Sequence, residues 1–132
     1  MITIDTSALF VVFHRGDRDH ARVRLALASE RGPYLLPAAI LGEIDYLIGE
    51  RLTPAALDAL LVDLRQGGFV LDCGDADLPR VQALVRRYAD LPLGLVDAAV
   101  VACAERNGGR VLTLDLRHFG VVAREGTLTI VP

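Results

Sequence analysis

The stretch "LGLVDAAVVACAERNGGRVLTLD", residues 93–115, decides the fold class. Its first half is apolar on every side of any helix it forms, because Leu95, Val96, Ala98, Ala99, Val100 and Val101 spread around the whole circumference. Such a helix belongs in a protein interior. Asn107-Gly108-Gly109 closes it, and "RVLTLD" then reads as a strand that ends on Asp115. A buried helix that hands over to a strand is part of a crossover connection, and such connections build parallel sheets with helices on both faces. One residue stands out. Asp97 is the only charge between Asp90 and Glu105, and an unpaired carboxylate is costly in an interior.

Working outward, the same alternation recurs. "MITI" is a β-branched start that ends at Asp5-Thr6-Ser7, a group able to cap a helix beginning near Ala8. A helix is expected over about 17–29 with Ala21, Leu25, Ala26 and Ala28 toward the core. "RGPYLLP" reads as a short buried strand, and Pro37 falls in the first turn of a helix with Ile40, Leu41, Ile44, Leu47 and Ile48 on one stripe. "TPAALDALLVDLRQGG" has Thr53 as a cap, Pro54 at the first helical position and a Gly67-Gly68 stop. "FVLDC" is the next strand, Asp75 opens a helix with Leu78, Val81, Leu84 and Val85 inward, and "TLTIV" is the last strand. The expected fold is a three-layer α/β/α domain with a mostly parallel central sheet, occupying residues 1–132 as one unit.

Composition narrows the chemistry. Hydrophobic residues make up 52% of the chain and charged residues 23%, a balance that excludes disorder and leaves room for an apolar surface covered by a partner. No apolar run reaches the roughly 18 residues of a membrane span, and the N-terminus lacks the basic start of a secretory signal. Cys73 and Cys103 have no metal-ligand spacing and read as buried free thiols of a cytoplasmic protein. The net charge of −3 provides no global basic field for nucleic acid. All fourteen basic residues are arginine. Chemistry that needs a lysine amine, such as a Schiff base or a P-loop, is therefore excluded.

Acidic residues mark the candidate site. Ligands of open α/β sheets bind beyond the carboxyl ends of the strands, and two predicted strands finish there on aspartate, Asp5 and Asp115. Asp97 lies in the first turn of its helix, and Glu43 lies at the border of the apolar stripe, about 100° from its centre. Each has a structural role open to it: Asp5 and Asp115 as helix caps, Asp97 on its helix's first amides, Glu43 as a solvated glutamate. Together the roles are harder to keep apart, because the topology brings both strand-end aspartates to one rim. Crowded carboxylates repel. Hard divalent cations resolve that conflict and, in pairs roughly 4 Å apart, suit in-line displacement at a phosphodiester.

The four stretches "IDTSAL", "PAAILGEIDYL", "LPLGLVDAAVVACA" and "VLTLDLRHF" occur in the order found in the PIN domain, and the chain resembles VapC-type ribonuclease toxins from Ile2 to its end. The resemblance implies that Asp5, Glu43 and Asp97 bind Mg²⁺ or Mn²⁺, with Asp115 at the less uniform fourth acidic position and Thr6 or Ser7 as the hydroxyl beside the site. It implies hydrolysis of RNA by a metal-activated water, leaving 5′-phosphate and 3′-hydroxyl ends. It also implies a homodimer and a VapB-type antitoxin whose tail crosses the active-site groove. Gly94 departs from the helix-capping serine frequent in relatives.

Other residues could serve the same chemistry. Asp45 flanks the stripe opposite Glu43 and competes for the middle position. His14, His20 and His118 lack pairing with another histidine or cysteine and read as surface or core residues. Arg15, Arg18 and Arg22 share a helical face that could grip phosphates, diluted by Asp17 and Asp19. Arg86-Arg87 suits a helix C-terminus, and Arg117 could touch substrate phosphate. Among competing functions, a haloacid-dehalogenase-like phosphatase needs an aspartate where Ser7 stands and a lysine. A receiver domain also needs a lysine. A PIN-fold scaffold or nucleic-acid-binding protein without catalysis is the remaining alternative.

Overall fold

The computed structural model describes residues 1–132. Five strands form the sheet: β1 (Ile2–Ile4), β2 (Tyr34–Pro37), β3 (Val70–Asp72), β4 (Arg110–Leu112) and β5 (Thr129–Val131). Their order is β3-β2-β1-β4-β5, and every pairing is parallel, with Thr3 opposite both Leu35 and Val111. The expected mostly parallel sheet is wholly parallel. Parallel neighbours need crossovers, which the seven helices supply: α1 (Thr6–Val12), α2 (His20–Ser29), α3 (Leu41–Arg51), α4 (Pro54–Gln66), α5 (Leu78–Arg87), α6 (Leu95–Arg106) and α7 (Leu116–Val122).

The central strand shows why the sheet needs two helical layers. Ile2, Thr3 and Ile4 point to alternate faces, and all three are fully buried. The helix α6 packs against α5 and against β1 and β4, with Ala98 and the whole run from Val100 to Ala104 buried. Small alanines on that run permit a close approach to the sheet. The Gly109 position in the following turn is forced: its φ is +79°, and a Cβ there would lie 2.6 Å from the Thr127 carbonyl oxygen. No helix is long and apolar enough to cross a membrane.

Several local expectations are corrected. The helix α2 begins at His20 rather than near Asp17, and its buried contact is Val23, with Leu25 70% exposed. Arg15 and Arg18 therefore precede the helix, and the proposed three-arginine face does not exist. Arg18 and Arg22 are both drawn to Asp19, at 3.7 and 3.0 Å. Leu78, expected inward, is 60% exposed: a short 3₁₀ turn over Asp75–Asp77 makes it the first residue of α5, while Val81 and Leu84 are buried as expected. Thr53 precedes α4 but makes no side-chain cap bond. Of the two cysteines only Cys103 is buried; Cys73 is exposed.

Candidate active site

The carboxyl ends of β1 and β4 lie side by side, joined past their last residues by the Asp5 amide donating to the Leu112 carbonyl at 3.0 Å. This neighbourhood sets the site. Asp5 is 4% exposed and caps α1. Its Oδ2 accepts from Ser7 Oγ at 2.8 Å, from Thr113 Oγ1 at 2.9 Å and from the Ser7 amide at 3.4 Å. Each hydroxyl has one proton, and both protons go to the same oxygen. The 3.2 Å approach of Ser7 Oγ to Thr113 Oγ1 is therefore a contact between two groups aimed at a common acceptor. Ser7 Oγ accepts in turn from the Leu114 amide, and Thr113 Oγ1 from the Asp115 amide, both at 3.0 Å. The side chain of Asp5 is thus fixed in orientation, with Oδ1 left free of these bonds. Burial raises its carboxyl above the usual aspartate value, against the lowering effect of the Ser7 and Thr113 bonds.

Of the two hydroxyls the resemblance offered, Ser7 is the one beside the carboxylates. Thr6 is buried with its Oγ1 unpartnered. Thr113 was missed, although a threonine inside the otherwise apolar run of a buried strand was its signal: a buried hydroxyl must find a partner.

Asp97 occupies the first turn of α6, half-buried. Its carboxyl is pushed up to about 6, first by burial and then by the Asp5 charge, with further raising by Asp115 and Glu43 and an opposing pull from His118. The fields of all the other predicted acids therefore converge on Asp97. Glu43, in the first turn of α3, is exposed, and its charge is near enough to contribute to the raising of Asp97. Asp45 is exposed and borders an apolar groove with Leu41 and Leu57 instead, so Glu43 is the member of that pair on the site.

Asp115 caps α7, its Oδ1 accepting from the His118 amide at 3.1 Å, and His118 Nδ1 lies 2.8 Å from its Oδ2. His118, which the sequence suggests as a surface or core histidine, stands instead against Asp115 in the acidic group. Its signal was the spacing of three from Asp115 at a helix start, which brings a side chain back over the cap. Arg117, exposed beside it, has no carboxylate partner.

One ligand atom from each of Asp97, Asp115 and His118 lies within 4.8 Å of the others. This closest trio differs from the Asp5, Glu43 and Asp97 set singled out in the sequence. Asp5 is tied back by its hydrogen bonds, and Glu43 is exposed, outside the trio. Four carboxylates and one imidazole at a single rim form a donor set suited to hard divalent ions such as Mg²⁺ or Mn²⁺.

A parallel α/β/α sheet with aspartates just past the ends of two adjacent central strands, a third on the buried helix packed against both and a glutamate in the first turn of α3 describes a class, and family comparison gives that class its name. The PIN-domain model matches residues 2–125, and the chain belongs to the PIN-domain family. Two VapC proteins are similar to it, one in sequence and one in fold. It is 35% identical over 133 residues to Ribonuclease VapC26 of Mycobacterium tuberculosis (strain ATCC 25618 / H37Rv), covering 98% of each chain. Its fold matches the crystal structure of Mycobacterium tuberculosis VapC20, described as a sarcin–ricin loop cleaving toxin, with a TM-score of 0.80 at 20% identity, over 92% of this chain and 95% of that one.

Proposed function

We propose that the chain is a single-domain endoribonuclease of the VapC type, the toxin of a VapBC-type toxin–antitoxin pair, acting in the cytoplasm. The observation that carries the reading is the meeting of Asp97, Asp115 and His118 within 4.8 Å of one another, with Asp5 tied to the same strand end through Thr113, so that separate segments of the chain supply one group. A metal-dependent hydrolase of phosphodiesters needs such a group to hold its ion, and a scaffold does not. The near-complete span and 35% identity shared with a ribonuclease support the same reading.

Asp5, Glu43, Asp97 and Asp115 would hold Mg²⁺, with Mn²⁺ able to substitute. When bound, the ion supplies a nucleophilic water near neutral pH and neutralises charge at the scissile phosphate. The protein's own residues do the positioning. Ser7 and Thr113 hold Asp5 in one orientation, so that Oδ1 faces its task without a rotamer search. His118 does the same for Asp115 through the bond to Oδ2. Arg117, exposed and free of acidic partners, would touch a phosphate of the bound strand. A homodimer and a VapB-type antitoxin complete the reading.

The test is RNA cleavage with Mg²⁺ or Mn²⁺, with the ends of the products mapped. Asp97→Asn should slow cleavage by roughly 10² to 10⁴, the effect of losing several kcal/mol of barrier stabilisation, and chelation should stop it. Wild-type rates in Asp5→Ala and Asp97→Asn proteins would overturn the reading.

A further inference from the structure

Positive side-chain charge in this protein is arginine, and most of it is either paired or scattered. Arg18, Arg22, Arg80, Arg87, Arg106 and Arg110 are each engaged by a carboxylate. Among the arginines without one, Arg15, Arg24 and Arg51 gather. Arg15 and Arg24 line a cavity of about 420 Å³, and Arg15 and Arg51 line a second of about 340 Å³. The two share Phe13, Thr53 and Ala56, so they adjoin. Asp63 is the one carboxylate lining either. His20 also lines the larger cavity, its Nδ1 bound to the Val11 carbonyl at 2.7 Å. The Arg51 guanidinium stands 5.9 Å from the centre of the Phe10 ring, which helps to hold it in place.

Three guanidiniums against one carboxylate repel as the four acids do, and with the opposite demand: they favour an anion with several acceptor oxygens. Phosphate meets the fork geometry of arginine, and a concave basic pocket concentrates its field. We propose that this pocket is an RNA-backbone anchor outside the cleavage centre, gripping phosphates of the same strand whose scissile bond lies at the acids. The proposal rests on the ribonuclease reading.

Two helices link pocket and acids. The helix α1 starts directly after Asp5 and is capped at its far end by Phe13, while α3 carries Glu43 in its first turn and Arg51 as its last residue. Eight residues of helix rise about 12 Å, the span of about four stacked nucleotides at ~3.4 Å each. A single strand can reach both. The arrangement also gives a chain with net charge −3 a local means of holding a polyanion near an acidic centre: three of its unpaired arginines stand together in one pocket.

The experiment measures binding of a labelled single-stranded RNA of about 16 nucleotides, without divalent ions so that it stays intact, across a salt series. The Arg15→Ala/Arg24→Ala/Arg51→Ala protein should bind roughly tenfold or more weakly, and the slope of log affinity against log salt should fall in magnitude by about 2, at ~0.7 per lost phosphate contact. Because Arg51 lies against Phe10, the Arg15→Ala/Arg24→Ala protein is a second variant, with an expected fall of about 1.4. Arg65→Ala/Arg86→Ala, which removes two unpaired arginines elsewhere, should change neither quantity, and Mn²⁺ binding should be the same in all. Equal RNA affinity and slope in wild type and both pocket variants overturns the anchor and leaves the ribonuclease reading standing. A wild-type protein that neither binds nor cuts RNA overturns both. Unchanged RNA binding with lost binding of polyglutamate assigns the pocket to an acidic protein partner, and also overturns the proposal.

Discussion

Asp97 sits half-buried in the first turn of α6, where burial and then the charge of Asp5 push its carboxyl up to about 6. The sign of the consequence follows from linkage. An acid whose pKa is higher folded than unfolded stabilises the protein fully below the unfolded value of 3.8, and that contribution disappears as pH rises through the folded value. In a chelator, the difference in urea midpoint between wild type and Asp97→Asn should shift against wild type from about pH 4 to about pH 6, then level off. Cation affinity should run the opposite way, strengthening as pH rises through about 6 because the proton no longer competes. Thr113 makes a second residue-scale case. Thr113→Val keeps the shape but removes the donor to Asp5 Oδ2 and the acceptor of the Asp115 amide. Unfolding by urea should show a loss of about 1–3 kcal/mol, the cost of stranding buried polar groups, and cleavage should fall with it. A Thr113→Ser protein, which retains the hydroxyl, should recover most of that activity.

At the scale of elements, the turn between α6 and β4 positions half the site, since it sets where β4 and hence Thr113 and Asp115 emerge. Gly109 meets both a positive φ and the Thr127 carbonyl. Gly109→Ala should therefore lower stability by about 1–3 kcal/mol or more, read as a lower melting temperature, while Gly108→Ala, whose Cβ would meet nothing within 4 Å, should cost less. The same elements show what was legible in the sequence. Residues 93–115 could be read because an all-round apolar helix, a double-glycine stop and a strand ending in aspartate agree with one another. The helix α2 was misphased because its alanines fit either face. A turn before His20, with the Asp19 amide donating to Asp17 Oδ1 at 2.8 Å, consumes the residues read as its first turn. Leu25 went outward because a local turn moved the start of α2 and so rotated its stripe, whereas Leu78 is exposed as the first residue of α5 on a helix whose stripe otherwise faces inward as expected. Hydrophobic pattern reports period well and phase poorly when the starting point is uncertain.

Across the whole molecule, the acids that were legible are those that topology forces to one edge. Parallel strands all point the same way, so Asp5 and Asp115 had to meet if β1 and β4 were neighbours, and they are. Asp97 follows because α6 packs on those two strands. The partners of those acids were not legible in the same way. Ser7, Thr113 and His118 act through hydrogen bonds whose existence depends on side-chain direction at the rim, which spacing alone does not supply. The pairing of the arginines was hidden for a further reason: Arg80 and Arg106 are bound to acids between 25 and 45 residues away, so free and engaged guanidiniums look alike in the chain. The central claim is that Asp5, Glu43, Asp97 and Asp115 act as one cation-binding group. The most direct measurement is calorimetric titration of the chelator-stripped protein with Mn²⁺, alongside Asp5→Asn and Asp97→Asn. The account predicts heat and a raised melting temperature in wild type, with both lost or weakened at least tenfold in each variant. Equal Mn²⁺ binding in all three proteins, or none in wild type, would contradict it.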